Sequence, residues 1–77
     1  MVEAYVLIQA QIGAASDVAR ALSAIEGVRE AEVVTGPYDI IARAEASDMD
    51  ELGRLVVSRI QGIQGIARTL TCPVLRF

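Results

Sequence analysis

Apolar and polar residues alternate along residues 4–12 with the period of two that is typical of a strand. The apolar set shares one face and consists of Ala4, Val6, Ile8, Ala10 and Ile12. The other face is mixed and consists of Tyr5, Leu7, Gln9 and Gln11. The pattern predicts a first strand over 4–12 that buries one whole face.

A first helix is predicted over residues 16–26, because the apolar residues there follow the helical spacing of three and four. These residues are Val18, Ala19, Leu22 and Ile25. Ser16 or Asp17 can cap the N-terminus of this helix, and Gly27 is placed to end it.

A second helix is predicted to begin at Asp48, with Glu51 three residues later as in a capping box. The apolar residues after Asp48 again follow helical spacing, and they are Met49, Leu52, Val56 and Ile60. Gly65 is expected to end this segment.

Three further strands are predicted over Val28–Thr35, Asp39–Ala46 and Ile66–Arg76. The strand at 39–46 has small residues on the face of Ile40, which leaves room for a helix to lie close: Ala42, Ala44 and Ala46. Pro73 removes a ladder hydrogen bond, so the last strand is expected at a sheet edge.

The order of elements is therefore strand, helix, strand, strand, helix, strand. A weak internal repeat agrees with two βαβ halves, because Ile25-Glu26-Gly27-Val28-Arg29 recurs as Ile63-Gln64-Gly65-Ile66-Ala67. Right-handed crossovers in both halves give a four-stranded antiparallel sheet with strand order 4-1-3-2 and both helices on one face. The predicted fold is α+β, a ferredoxin-like βαββαβ sandwich, with residues 1–77 as a single domain.

This topology leaves the second face of the sheet uncovered. That face would present Tyr5, Leu7 and Ile41 among Gln9, Gln11 and Arg43, which is too apolar for exposure to water and too polar for a monomer core. A chain of 77 residues also buries only a marginal apolar area on its own. We therefore expect a homodimer that pairs through the sheet faces.

Composition and charge narrow the classes of function. The chain is 53% hydrophobic with a net charge of −3, and its seven basic residues are all Arg and scattered singly, which disfavours direct nucleic-acid binding. It has neither an apolar run long enough to span a membrane nor a signal peptide pattern, so a cytoplasmic location is expected.

The residues for common catalytic or metal chemistry are scarce. The chain has no His and one Cys, which excludes Ser-His and Cys-His pairs and a zinc site. We therefore expect no enzyme, no cofactor and no metal. Cys72, beside Pro73, is interpreted as an inert packing residue.

An acidic group opens the second helix and consists of Asp48, Asp50 and Glu51. It is interpreted as a solvated helix start rather than a cation site, with Asp50 placed to pair with Arg54 at the spacing i, i+4.

Two short segments carry candidate binding residues. In Thr35-Gly36-Pro37-Tyr38-Asp39, the carboxylate of Asp39 begins a central strand and needs a partner, either backbone N–H groups of its own turn or a ligand. In Arg68-Thr69-Leu70-Thr71, two hydroxyls share a face of the edge strand, as ordinary strand residues or as binding groups.

These two segments, with the strand openings at Gly27-Val28 and Gly65-Ile66 and the order of elements, resemble the effector-binding (RAM) domain of the Lrp/AsnC transcription regulators. The resemblance covers nearly the whole chain. It implies dimerisation through the sheets, rings of dimers, and binding of free amino acids at the junctions between dimers. Because only Met1-Val2-Glu3 precede the first strand, the chain resembles the stand-alone form without a DNA-binding domain.

By this resemblance the ligand-binding residues fall on Gly36, Tyr38, Asp39, Thr69 and Thr71. Asp39 would accept hydrogen bonds from the α-ammonium of the ligand, amides near Gly36 and the hydroxyls of Thr69 or Thr71 would hold its carboxylate or side chain, and Tyr38 would shape the wall.

The implied function is an amino-acid sensor that modulates transcription or amino-acid metabolism through partner regulators. Two alternatives remain: an oligomerisation module that mixes with full-length Lrp/AsnC regulators, or a dimeric α+β barrel enzyme. For such an enzyme the plausible reactive side chains are few, namely Tyr5, Tyr38, Asp39 and Cys72.

Overall fold

The computed structural model describes all 77 residues and has six regular elements in the predicted order, the second helix continuing as a π-helix. They are β1 (Val2–Ala10), α1 (Ala15–Ser23), β2 (Val28–Val33), β3 (Ile40–Ala46), α2 (Met49–Arg54) followed by the π-segment (Leu55–Ile60), and β4 (Ile66–Pro73).

The four strands form one antiparallel sheet in the order β2-β3-β1-β4. This order confirms the sequence-based topology. β1 is central, and its Val6 lies opposite Ala42 of β3 and Thr71 of β4. Pro73 lies on β4, which is an edge strand as predicted, because β4 pairs with β1 alone.

The helices and the sheet enclose a core made of apolar residues only. The predicted apolar face of β1 is completely buried at Ala4, Val6 and Ile8. The small side chains of Ala42 and Ala44 are also fully buried, so a helix packs closely over β3 as expected. The helices contribute Val18, Leu22, Leu52, Leu55, Val56 and Ile60.

Gly27 and Gly65 show that the two sequence repeats are structurally equivalent. Both have φ of +100°, a backbone conformation that residues other than glycine rarely adopt. Each directly precedes a strand and follows a helical segment. A Cβ at Gly27 would lie 3.1 Å from Leu55, and one at Gly65 would lie 3.1 Å from Val18. Each glycine therefore lets its strand start against the helix of the other half.

The N-terminus of α1 differs from the prediction. Its N-cap residue is Ala14, whose side chain makes no capping hydrogen bond. Both predicted caps, Ser16 and Asp17, lie inside the helix. Asp17 instead pairs with Arg20 in the first turns, at 3.2 Å. The helix ends at Ser23 rather than at residue 26, because the chain tightens into turns in which the N–H of Ile25 donates to the carbonyl of Leu22.

β1 begins at Val2, two residues earlier than predicted, and several other strand ends are shorter than predicted. β1 stops at Ala10, so Ile12 is fully exposed in the following turn instead of on the buried face. β2 stops at Val33, β3 begins at Ile40, and β4 stops at Pro73, which cannot donate to the ladder.

The second helix begins as predicted, but its helical turns end at Ile60 rather than at Gly65. Asp48 is the cap, and its Oδ1 accepts a 2.8 Å bond from the N–H of Glu51. Glu51 returns to Ser47 rather than to the N–H of Asp48, so the capping box is displaced by one residue. Met49 is exposed, contrary to the predicted stripe, because it stands in the first turn, away from the sheet.

The predicted pair of Asp50 and Arg54 is not formed, and neither side chain has a partner in the chain. Arg54 stands where α2 gives way to the wider π-segment, which changes the direction of the residues that follow. No helix in the structure has the length and apolar character needed to cross a bilayer.

Candidate functional site

The hairpin between β2 and β3, residues 34–39, stands at the end of the sheet where β1 finishes. The N–H of Asp39 donates to the carbonyl of Ile8 at 2.9 Å, and the carbonyl of Asp39 accepts from Val34 at 2.8 Å. The backbone of Asp39 is therefore fixed by both neighbouring strands.

The carboxylate of Asp39 is half-buried and has one free oxygen. Oδ2 accepts a 2.8 Å hydrogen bond from the backbone N–H of Ala10, while Oδ1 has no partner in the chain. The donor belongs to β1 and not to the hairpin, so the expectation of bonds across its own turn is wrong. The arrangement fixes the carboxylate while it leaves one acceptor available.

The rest of the hairpin is held against β1 by a side chain. Nε2 of Gln9 donates to the carbonyl of Pro37 at 2.8 Å. Gly36 has φ of +140° at the exposed tip, where only glycine fits without strain. Tyr38 is half-buried between the tip and Asp39. Three of the predicted binding residues are thus brought together by one rigid turn.

The two predicted threonines lie on another side of the molecule. Thr69 and Thr71 stand opposite Ile8 and Val6 of β1, so they face the helix layer and are half-buried. Oγ1 of Thr69 accepts a 3.0 Å bond from Nε2 of Gln61, at the end of the π-segment. The hydroxyl of Thr71 makes no hydrogen bond within the chain.

Within one chain, β1 separates the threonines from the hairpin. β3 and β4 are two strand spacings apart, about 10 Å. The structure therefore brings Gly36, Tyr38 and Asp39 together but does not bring Thr69 and Thr71 into the same group.

The open face of the sheet combines apolar side chains with an ion network. Tyr5, Ile41 and Leu70 are 45%, 36% and 46% exposed there. Cys72, opposite Tyr5, is also exposed, so its interpretation as a packing residue is wrong for the single chain. The reason is the alternation of β4, which directs Cys72 to the uncovered face.

Arg43 is the centre of the ion network on this face. Its guanidinium contacts Glu30 at 2.9 Å, Glu3 at 3.0 Å and Glu45 at 3.1 Å. The hydrogen bond to Glu30 is the main reason that the pKa of Arg43 is raised. The hydrogen bond from Arg29, at 2.8 Å, is the main reason that the pKa of Glu45 is lowered.

An open cleft of about 470 Å³ lies at the opposite end of the sheet from the hairpin. It runs between the turn at Gly27, the end of β3 and the second helical segment, and it contains none of the predicted binding residues. Sequence reasoning missed it, because Arg54 and Arg59 are five residues apart and would diverge on the predicted α-helix. No three His, Cys, Asp or Glu side chains converge where they could hold a metal ion.

Comparison with known proteins identifies the family. Residues 3–77 match the model of the Lrp/AsnC ligand binding domain. The chain is 41% identical over 59 residues to the homocitrate synthase of Sulfurisphaera tokodaii, a match that covers 77% of the chain and 13% of that enzyme. It is 34% identical over 55 residues to an uncharacterized HTH-type transcriptional regulator of Pyrococcus horikoshii, covering 71% of the chain and 37% of that regulator.

Solved structures share the fold over nearly the whole chain. A protein of Thermus thermophilus, TTHA0845, has a TM-score of 0.93 at 32% identity, with 100% of this chain and 96% of that chain covered. AsnC of E. coli has a TM-score of 0.91 at 26% identity, with 99% and 52% covered. A Neisseria meningitidis transcriptional regulator, solved as a complex with L-Met, has a TM-score of 0.87 at 19% identity, with 97% and 50% covered, and shows the fold alone.

The matches to the curated relatives are partial. The chain spans only small parts of the curated relatives, 13% of the homocitrate synthase and 37% of the regulator. The matching family model is that of a ligand-binding domain, and the Pyrococcus horikoshii relative is named as a transcriptional regulator. The chain belongs to the Lrp/AsnC ligand-binding domain family.

Proposed function

We propose that residues 1–77 form a single RAM-like domain that binds a free amino acid, oligomerises, and modulates transcription or amino-acid metabolism through partner regulators. The ligand-binding residues in this proposal are Gly36, Tyr38, Asp39, Thr69 and Thr71. Since β1 separates the two groups within one chain, a junction between chains is where a ligand would contact both.

The free oxygen of Asp39 is the observation that carries the proposal. Its carboxylate is fixed by Ala10 through Oδ2, so Oδ1 can accept from a ligand without rearrangement. An α-ammonium is the matching donor, because a charge-assisted hydrogen bond to a carboxylate is about twice as strong as a neutral one. The L-Met complex of the Neisseria meningitidis regulator supports free amino acids as the ligand class.

The open face supports assembly into a homodimer, and by the family resemblance such dimers would join into a ring. Ile41 and Leu70 flank Leu7 across the sheet, with Tyr5 two residues along β1, and a second sheet placed on this surface would remove it from water. The free thiol of Cys72 on this face fits a reducing compartment, so we place the protein in the cytoplasm.

Isothermal titration with each of the twenty standard amino acids tests the proposed ligand. The informative variant is Asp39→Asn, which keeps an oxygen for the N–H of Ala10 and removes the negative charge. We expect at least one amino acid to bind at millimolar concentration or below, and Asp39→Asn to bind it about tenfold more weakly. Asp50→Asn is the matched control, because Asp50 is exposed and unpaired.

Absence of heat with all twenty amino acids, from a protein that is folded by circular dichroism, would refute amino-acid sensing. Equal affinity in Asp39→Asn and the wild type would refute the site while leaving the ligand class intact.

A second candidate is an oligomerisation module that mixes with full-length Lrp/AsnC regulators. The exposed apolar side chains of Tyr5, Ile41 and Leu70 favour it, because they need a partner whether or not a ligand binds. Mixing the chain with a full-length regulator and measuring mass by light scattering distinguishes the two functions. Mixed assemblies whose mass is unchanged by amino acids would favour the module.

A further inference from the structure

A second candidate site lies in the open cleft of about 470 Å³ at the end of the sheet remote from Asp39. Cavities of this volume are within the range of small-molecule sites. One wall is formed by successive turns of the second helical segment, through Glu51, Arg54, Leu55, Ser58 and Arg59. We call this feature the arginine cleft.

The π-segment determines how these side chains are presented. In an α-helix, residues three or four apart are neighbours on one face, and residues five apart diverge. In a π-helix the hydrogen bonds join residues five apart, as the N–H of Gln61 does to the carbonyl of Val56 at 2.8 Å. The wider turn therefore brings Arg59 towards the line of Arg54, and both side chains line the same cleft.

The two guanidinium groups and the hydroxyl of Ser58 have no ion-pair or hydrogen-bond partner within the chain. Arg54 and Arg59 form no ion pair and no side-chain hydrogen bond, and Oγ of Ser58 has no partner either. All three side chains are exposed, so a ligand can reach them without opening the core. Together they offer donors and no acceptor other than the Ser58 oxygen.

One of the three acidic side chains of the cleft is paired with arginine. Glu45 is paired with Arg29 and Arg43, and the carboxylate of Glu51 accepts from Ser47. Glu51 keeps its charge, because a hydroxyl does not neutralise a carboxylate, and Glu26 has no partner, so two negative charges line the cleft together with the two unpaired arginines.

We propose that the arginine cleft binds a small doubly charged anion, a phosphate group or a dicarboxylate, between Arg54 and Arg59, with Ser58 donating a third hydrogen bond. The planar guanidinium matches both kinds of oxyanion through paired N–H donors. Two positive charges suit a dianion and are too few to hold a nucleic-acid backbone on a chain of net charge −3.

Titration followed by ¹⁵N–¹H NMR tests the site, with inorganic phosphate and succinate as separate probes at constant ionic strength. We expect saturable shifts of amide signals over residues 54–59 with at least one probe. Arg54→Gln and Arg59→Gln are each expected to raise the Kd about tenfold. Neither side chain makes a contact that the fold needs, and an unchanged spectrum of the free variant checks this.

Arg68→Gln is the matched control, because Arg68 is also exposed and unpaired but lies outside the cleft. Tighter binding of phosphate or of succinate identifies the anionic group of the ligand, and either result supports the site. Shifts that do not saturate with either probe, or an affinity equally reduced in Arg68→Gln, would overturn it. The outcome is independent of amino-acid binding at Asp39.

Discussion

The Oδ2 atom of Asp39 accepts a 2.8 Å hydrogen bond from the backbone N–H of Ala10, which ties the β2–β3 hairpin to the end of β1. The same carboxylate thus serves the fold and, in the proposed function, the ligand. These two roles predict different responses to two substitutions at one position.

Asp39→Ala is predicted to lower the free energy of unfolding by about 1–3 kcal/mol, because it leaves a half-buried N–H without an acceptor. Asp39→Asn is predicted to cost less than about 1 kcal/mol, because its amide oxygen can still accept from Ala10. Urea denaturation followed by circular dichroism measures both values. Equal losses in the two variants would show that charge, and not the hydrogen bond, is what the fold needs.

Gly27→Ala is predicted to destabilise the fold by about 2 kcal/mol or more, through unfavourable φ and crowding. The added Cβ would lie 3.1 Å from Leu55 and 3.2 Å from the carbonyl oxygen of Glu45. Gly53→Ala is the control, since it stands in α2 with open space around it, and it is predicted to stabilise by about 0.5–1 kcal/mol. Thermal unfolding of the two variants gives the comparison, and a neutral Gly27→Ala would contradict it.

The two helix starts respond differently to loss of a hydroxyl or carboxylate. Asp48→Ala is predicted to cost about 1 kcal/mol, because it removes the cap that accepts from the N–H of Glu51. Ser16→Ala is predicted to be neutral or slightly stabilising, because Ser16 is inside α1 and makes no capping bond. Chemical denaturation midpoints measure both changes. If Ser16→Ala lowered the stability as much as Asp48→Ala, Ser16 would act as the cap of α1 after all.

Acid is predicted to destabilise the protein partly through Glu45, whose pKa is lowered mainly by the hydrogen bond from Arg29. A carboxyl with a lowered pKa in the folded state stabilises fully above its unfolded pKa, about 4.3, and loses this contribution as the pH falls through the folded value. Between about pH 5 and pH 3, the wild type should therefore lose more stability than Glu45→Gln.

The measurement is the free energy of unfolding in urea across that pH range. Glu32→Gln is the control, because Glu32 is exposed and has no ion-pair partner. Parallel curves for the wild type and Glu45→Gln would contradict the role assigned to Arg29.

The layers of the fold followed from local chemistry that the sequence displays directly. The alternation through Ala4, Val6 and Ile8 predicted the buried face of β1, and the spacing of Asp48 and Glu51 predicted a cap that the structure contains. These features depend on neighbours in the chain. Strand order also followed, because right-handed crossovers leave few topologies for this order of elements.

Features that depend on distant parts of the chain could not be predicted from the sequence. The partner of Asp39 is Ala10, twenty-nine positions away, and only the sheet register places them together. The π-segment has the same apolar spacing as an α-helix. The spacing of Leu52, Val56 and Ile60 therefore predicted their burial correctly, but it could not show that the turn would be a π-helix. For the same reason the approach of Arg54 and Arg59 was invisible.

The strand order also determines when this chain can fold during synthesis. β1 and β2 do not bond to each other, since each pairs with β3. While only residues 1–39 have emerged from the ribosome, these two strands have no template strand between them. Sheet assembly begins only once residues 40–46 have emerged, and the sheet is complete only after β4, residues 66–73, gives β1 its second partner.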